Sequence, residues 1–285
     1  MSVTAAAGMD GSTVSHENVT IFGTFQAPPN VGITVNGQLA TLTSDRQFYA
    51  NGVPLIVGAN AVTITLTAVD GQTATQTINL TRGPAAGNVD PATVNFRVNI
   101  GDTEGIIVPG DPYLVNFTVE GVAGRSYTNV SVTCAAPSAG LEVTLGAAIN
   151  CPYSQPGTYS LVVTIRDGNT VIYQKTNAVV VKDATAHVKL VKSIYLDMVD
   201  RLTVNNTELA LNLFLESAQP KYSDIFSNLG SSVTTLAPQL GTLGSTTASN
   251  EHAEVVLTRM VGGVAQNFLI YLIRGDDGIW RIESM

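Results

Sequence analysis

Charge is scarce in this chain. Asp, Glu, Lys and Arg make up 13% of its 285 residues, about half of the roughly 25% usual in soluble domains. What charge there is leans acidic, with a formal net of -8. No basic field exists to gather phosphates, which argues against nucleic acid as a partner. Aromatics are thin as well, at 6% with Trp280 the sole tryptophan. A row of exposed rings for stacking on polysaccharide is hard to assemble from so few, so a carbohydrate-binding accessory role is disfavoured. No apolar run approaches the roughly 18–20 residues of a membrane helix, and no transmembrane segment is expected. The histidines are only His16, His187 and His252, and the cysteines only Cys134 and Cys151. They form no zinc spacing, and the chain has neither a Gly-rich phosphate loop opening a helix nor a Gly-x-Ser-x-Gly elbow. No catalytic residue, metal or cofactor is assigned.

Thr, Asn, Ser and Gly take the place of charge, with 26 Gly and 12 Pro, a mixture that suits exposed β-surface and tight turns. A hydrophobic fraction of 45% supplies material for cores, and the length allows two or three domains. Residues 1–15 have neither a basic n-region nor an apolar h-region and do not read as a signal peptide. They are expected to be a disordered leader, the ragged front left once an export signal is gone. Both cysteines fall in one β-rich stretch, which favours a disulfide between Cys134 and Cys151. Closing that loop stabilises by roughly 3 kcal/mol on the chain-entropy view. An extracellular, periplasmic or cell-surface location is the expectation.

The stretch from Thr170 to Val204 organises the rest. Its first half alternates and is β-branched, through Val171, Tyr173 and Val179-Val180-Val181, and reads as a strand. After Lys182-Asp183 the period changes. Val188, Val191, Tyr195, Met198 and Leu202 then fall three and four apart, on one helical face. Short strands and turns precede this switch; helices and a small sheet follow it. The predicted division is a β-sandwich over 16–83, a second over 84–183 and an α+β domain over 184–285, with a linker at Arg82 to Gly87.

In the first module Val62, Ile64 and Leu66 alternate with Thr63, Thr65 and Thr67, and Asn36-Gly37 and Asp70-Gly71 are hairpin signals. Val35-Asn36-Gly37, Phe48-Tyr49-Ala50, Val53-Pro54-Leu55, Gly58-Ala59-Asn60 and Ala68-Val69-Asp70-Gly71 together resemble the bacterial Ig-like repeats related to the accessory β-domain of glucodextranase. That resemblance implies a spacer or binding module without catalysis. In the second module Thr93 to Val98, Tyr113 to Val119, Val130 to Cys134, Tyr159 to Ile165 and Val171 to Val181 read as strands, with a hairpin turn at Asp167-Gly168-Asn169. Pro156-Gly157-Thr158-Tyr159, leading into Leu161, Val163 and Ile165, resembles a strand of PKD-like and other Ig-like domains. Asp102, Glu104, Asp111, Asp167 and Asn169 offer oxygens suited to calcium, but acidic residues in β-turns ordinarily make the turn itself.

In the third module helices are expected over Ala186 to Thr203, from Asn206 or Thr207 through Leu209, Leu213 and Phe214, and from Pro220 to Gly230. The last carries Tyr222, Ile225, Phe226 and Leu229 on its face. A Pro-interrupted helical stretch holds Val233, Leu236, Leu240 and Leu243. Three strands follow, Ala253 to Val261, Val264 to Arg274 and Ile279 to Met285, joined at Gly262-Gly263 and Gly275-Asp276-Asp277-Gly278. This order, with Tyr195 and Met198 in the first helix, Ala253-Glu254-Val255 opening the sheet and Asp277-Gly278-Ile279-Trp280-Arg281-Ile282 near the end, resembles the NTF2-like superfamily, a cystatin-like α+β cone. The resemblance implies a curved sheet around helices and a pocket, used by some members for catalysis and by many for binding or dimerisation. A homodimer through this domain is one consequence. Tyr195, Met198, Tyr222, Phe226, Tyr271 and Trp280 are the pocket candidates, read first as plain core. Enzymatic members place an Asp-His or Asp-Tyr pair in the cone. Here Asp197 and Asp200 sit beside the apolar stripe rather than in it and are expected to be solvated, and His252 lies near an element edge.

Arg274-Gly275-Asp276 spells an integrin-binding tripeptide on an exposed hairpin, although such a turn needs these residues anyway. Asn-x-Ser/Thr triplets at Asn18, Asn79, Asn116, Asn129 and Asn205 arise freely in a Thr-rich chain. The expected role is a non-enzymatic exported or cell-surface modular protein whose sandwiches present the C-terminal domain to a protein or cell-envelope partner. The alternatives are a small-molecule hydrolase or isomerase using the cone, and a carbohydrate-binding accessory.

Overall fold

A computed structural model of the chain describes residues 1–15, 17–83, 96–108, 110–121 and 126–285. His16, the linker positions 84–87 and the first three residues of the strand expected from Thr93 lie outside the described residues. The first module closes two sheets over one core. Its strands are β1 (Ser2–Ala5), β2 (Thr13–Val14), β3 (Asn18–Gln26), β4 (Val31–Val35), β5 (Gln38–Leu39), β6 (Thr41–Leu42), β7 (Gln47–Pro54), β8 (Gly58–Ala68) and β9 (Thr73–Arg82). One sheet runs β1-β3-β7-β6 and the other β2-β9-β8-β4-β5. Alternation explains the burial: Val62, Ile64 and Leu66 of β8 point inward while Thr63 between them is exposed. Asn36 and Gly37, at φ 49° and 82°, both take the left-handed conformation that a two-residue hairpin between β4 and β5 demands.

Residues 1–15 are not a disordered leader. β1 pairs antiparallel with β3, β2 pairs parallel with β9, and Val3 is buried. Ser2-Val3-Thr4-Ala5 carries its own short alternation, and docking it covers an edge of β3 that would otherwise stay open.

The second module is also a two-sheet sandwich. It comprises β10 (Phe96–Ile100), β11 (Glu104–Ile107), β12 (Tyr113–Gly121), β13 (Asn129–Thr133), β14 (Leu141–Glu142), β15 (Ala148–Tyr153), β16 (Gly157–Asp167) and β17 (Thr170–Asp183). The sheets are β10-β12-β15 and β11-β17-β16-β13-β14. Cys134, just past β13, is disulfide-bonded to Cys151 on β15, so the bond staples one sheet to the other. The apolar run Ala178–Val181 of β17 is buried on both faces. Val179 and Val181 enter the module's own core, while the opposite face of β17 lies against β3 and β7 of the first module. A strand covered on both sides has no need of polar alternation, which is why this run is continuous.

β17 passes without a break into the third module: α1 (Ala184–Thr203), α2 (Thr207–Leu211), α3 (Gln219–Leu229), α4 (Val233–Leu236), β18 (Thr242–Ala248), β19 (His252–Val261), β20 (Val264–Arg274) and β21 (Trp280–Ser284). The strands form one antiparallel sheet in chain order. Three expectations are corrected here. The second helix stops at Leu211, and Phe214 beyond it bridges in parallel to Ile282. Leu243 belongs to β18, whose β-branched Thr residues favour strand over the helix expected. Tyr271 is 39% exposed, because Ile270 and Leu272 on either side of it face the core and a strand alternates. Among the described residues the chain is thus mostly β, with helix confined to one segment between the second sandwich and the last sheet.

Candidate functional site at the junction of three modules

Glu104 opens β11, and the parallel pairing sets it opposite Val180, two residues from Lys182 along β17. Side chains two apart share a strand face, so Lys182 is the diagonal neighbour of Glu104 and its Nζ donates to Oε1. From the end of β20, Arg274 Nη1 donates to the same oxygen at 2.7 Å. From β6, Thr41 Oγ1 donates to Oε2 at 2.9 Å. Asn250 Nδ2 reaches the Glu104 backbone carbonyl at 2.7 Å. One residue of the second module therefore ties the first and third modules to it.

The side chains of Glu104, Lys182 and Arg274 are 17%, 18% and 8% exposed, so little water screens them. Burial alone would push the Glu104 carboxyl up. The Lys182 and Arg274 cations, with hydrogen bonds from Lys182 and Thr41, outweigh it and hold the group below the usual glutamate range. Burial pulls the Lys182 ammonium down, and Arg274 adds to that pull against the attraction of Glu104. Two cations share one carboxylate, which leaves each dependent on it.

Two asparagines of the first module act as backbone clasps. Asn51 on β7 accepts the Ala178 N–H at 2.8 Å through Oδ1 and donates Nδ2 to the Ala178 carbonyl at 2.7 Å. Asn30, just before β4, does the same to Trp280, accepting its N–H at 3.0 Å and donating to its carbonyl at 2.8 Å. Each amide satisfies a backbone donor and acceptor at once, as a neighbouring strand would. Gly32 shows how close the approach is. A Cβ built there would lie 1.6 Å from the Asp277 carbonyl oxygen, so only glycine lets β4 meet the hairpin after β20.

The junction leaves a half-open cleft of about 800 Å³, lined among others by Arg46, Tyr49, Thr158, Lys182, His187 and Trp280. Helix α1 starts at its wall, capped by Asp183, whose Oδ1 accepts the Ala186 N–H at 2.8 Å. His187, in the first turn, stands edge-on to Trp280 at 5.5 Å. Its Nε2 lies 2.8 Å from the Ser249 carbonyl oxygen. A carbonyl only accepts, so Nε2 carries the proton in the neutral ring. Burial holds the imidazole below its ordinary pKa, with Lys182 and Arg274 contributing in the same direction. The cleft offers stacking faces, hydroxyls and charges of both signs.

Of the six pocket candidates, Tyr195, Met198, Tyr222, Phe226 and Trp280 come together in the packed interior of the third module, none more than 5% exposed. Phe214 stacks on Tyr222 at 4.2 Å. The Tyr222 hydroxyl is committed to Met285, accepting its N–H at 2.8 Å and donating to its carbonyl at 3.1 Å. The Tyr195 hydroxyl has no partner, and burial pushes its pKa up to about 12. Tyr271 lies outside this interior. Asp197 is bonded to Arg201 at 2.8 Å with its side chain 44% exposed, and Asp200 and His252 are exposed. The exposed tripeptide expected at Arg274-Gly275-Asp276 is corrected too, since Arg274 is buried on Glu104. Glu104 itself serves as an ion-pair hub rather than a turn acid, and among the described residues no three acidic, histidine or cysteine side chains gather as a cation set.

Sequence reasoning passed over Asn30, Asn51, Thr41 and the joint role of Glu104, Lys182 and Arg274. The available signal is slight: a lone Glu opening the apolar run Glu104-Gly105-Ile106-Ile107, and an Asn inside the strand Phe48-Tyr49-Ala50-Asn51.

No protein-family model matches the chain, and no curated protein matches it. Among solved structures, it is similar to fibronectin(III)-like modules of Clostridium thermocellum CbhA, at 14% identity over 64% of this chain and 95% of that one, with a TM-score of 0.23. The D00-D0 domain of intimin gives 15% identity over 64% and 100%, with a TM-score of 0.25. Domains 5-6 of the S-layer protein SbsC give 14% over 64% and 97%, with a TM-score of 0.23. Superpositions this loose add nothing to the sandwich architecture, which rests on the strand pairing itself.

Proposed function

We propose that this is a non-enzymatic, exported or surface-attached modular binding protein whose site is the cleft between its three modules. Its sandwiches are not spacers strung ahead of a C-terminal domain; they are walls of the site. The observation that carries this reading is the contrast between two spaces. The interior of the third module, where a cone-type enzyme resembling the NTF2-like superfamily would hold its substrate, is filled by Tyr195, Met198, Tyr222, Phe226 and Trp280. A cleft of about 800 Å³ lies where all three modules meet. A cleft whose walls come from three modules, clamped through Glu104, suits recognition of a protein segment or a cell-envelope polymer.

The test is a binding screen of the full chain against peptide and glycan arrays, run in parallel with an Ala186→Trp variant. Ala186 lines the cleft with its side chain exposed, so the indole fills the space without entering a core. Ligands that bind the parent chain and lose at least tenfold on Ala186→Trp support the reading. Ligands indifferent to the substitution place the site elsewhere, and turnover of a small molecule by the parent chain restores the hydrolase or isomerase alternative.

A further inference from the structure

The last sheet narrows to two strands at one end. β18 reaches β19 only as far as Thr258, and β21 pairs with β20 only from Tyr271 onward. What projects beyond is a hairpin arm, closed by Gly262 and Gly263 at φ 60° and 83°. Arg259–Val261 and Val264–Leu269 are all exposed. Most of them are nonetheless apolar: Met260 and Val264 are 64% and 63% exposed, Phe268 and Leu269 43% and 40%. A two-stranded ribbon on its own is marginal in water, and an apolar strand with an open edge is a template for another strand.

The register shows which groups are open. In a two-residue hairpin the closing pair, here Val261 and Val264, is a hydrogen-bonded one. Alternate residues Val264, Gln266, Phe268 and Ile270 therefore direct their N–H and C=O groups to β19. The Arg274 N–H, in the same phase, bonds to the Glu251 carbonyl on that side at 2.8 Å. Ala265, Asn267 and Leu269 point theirs at the open edge.

We propose that this edge pairs antiparallel with the same edge of a second copy of the chain, about a two-fold axis at Asn267. The spacing is self-complementary: Ala265, Asn267 and Leu269 oppose Leu269, Asn267 and Ala265 of the other copy, giving about six backbone hydrogen bonds. Charge favours it as well. From Val264 to Ile273 there is no Asp, Glu, Lys or Arg, so a chain of net charge -8 meets its copy where like-charge repulsion is least. The edge also lacks the Lys or Pro that natural edges use to prevent pairing. Pairing along β20 would cover part of the exposed apolar side chains of Val264, Phe268 and Leu269. Pairing joins two four-stranded sheets into one of eight strands. The expected homodimer through the C-terminal domain is thereby given a surface and a register, independent of the cleft.

Sedimentation velocity of the full chain at micromolar concentration is the test, with two edge variants and one cross-link. Asn267→Pro removes an N–H that the single copy does not use, and Leu269→Lys places a charge on the pairing edge. Each is expected to weaken the dimer at least tenfold. Facing residues of a hydrogen-bonded antiparallel pair lie about 5.5 Å apart at Cα, within disulfide range. Since the described residues contain no free cysteine, Asn267→Cys is expected to cross-link two copies on mild oxidation, and Thr77→Cys, exposed on the first module, to leave them separate. A chain that stays monomeric with no cross-link above that control overturns the proposal. So does a dimer that survives both edge substitutions, which would then use another surface or a foreign strand.

Discussion

Arg274 and Glu104 stand 170 residues apart in sequence, and Nη1 of one lies 2.7 Å from Oε1 of the other. The contact joins the end of the last sheet to the first residue of a short strand in the second sandwich. Lys182 shares the oxygen, so among the described residues this carboxylate is the counter-charge paired with both largely buried cations.

Removing that carboxylate is therefore costlier than removing either cation. Breaking a buried pair costs about 3–5 kcal/mol, because the remaining charge is left without a partner. Glu104→Ala is expected at the upper end of that range, and Arg274→Ala near 3 kcal/mol, since Lys182 still neutralises the carboxylate. Urea unfolding of the three chains measures both, and equal losses below about 1 kcal/mol contradict a buried clamp.

Acid should destabilise the protein in two steps. His187 has a lowered folded pKa, so below the ordinary value of about 6.5 the unfolded chain takes a proton that the folded chain refuses, and stability falls with pH. Glu104 also has a lowered folded pKa. Its contribution is complete above the ordinary glutamate value of about 4.3 and is lost as pH drops through its folded value. His187→Gln, whose amide can still donate to the Ser249 carbonyl, is expected to flatten the upper step of a Tm-against-pH curve and leave the lower one.

Two tyrosines of the third module should behave oppositely. Tyr195 buries a hydroxyl with no partner, so Tyr195→Phe is expected to be neutral or stabilising by up to about 1 kcal/mol. Tyr222 uses its hydroxyl twice on Met285, and Tyr222→Phe should cost about 1 kcal/mol or more. Thermal denaturation decides; a loss in the first variant would mean that Tyr195 has a bonded partner in solution.

The Cys134–Cys151 bond spans 17 residues of sequence and connects two sheets. Denatured, unreduced protein is expected to show no titratable thiol, and reduction to cost roughly 3 kcal/mol of stability. Two thiols per chain would contradict the pairing.

The period change at Lys182-Asp183 is legible because strand and helix impose different spacings, and β17 ends where α1 begins. Asn36-Gly37 and Gly262-Gly263 are legible for a similar reason, since a tight hairpin accepts few residue types. Ser2-Val3-Thr4-Ala5 is too short to outweigh its polar surroundings, and its strand exists only because β3 offers an edge. The cleft is harder still to read. Thr41, Asn51, Glu104, Lys182 and Arg274 lie on five strands of three modules, and nothing local distinguishes them from solvated residues. Their roles come from docking, which no pattern along the chain encodes. The strand from Val264 to Arg274 is legible as a strand, but periodicity cannot tell a buried apolar strand from an unpartnered one.

The central claim is that the three modules close on one another around the cleft. Amide hydrogen exchange at Ala178 and Trp280 tests it most directly, because those two N–H groups are held by Asn51 and Asn30 of the first module at 2.8 Å and 3.0 Å. Protection of both at the level of sheet-core amides, lost at Ala178 on Asn51→Ala and at Trp280 on Asn30→Ala, is the predicted result. Exchange of both at the rate of open loops in the unmodified chain would mean that the modules are not docked.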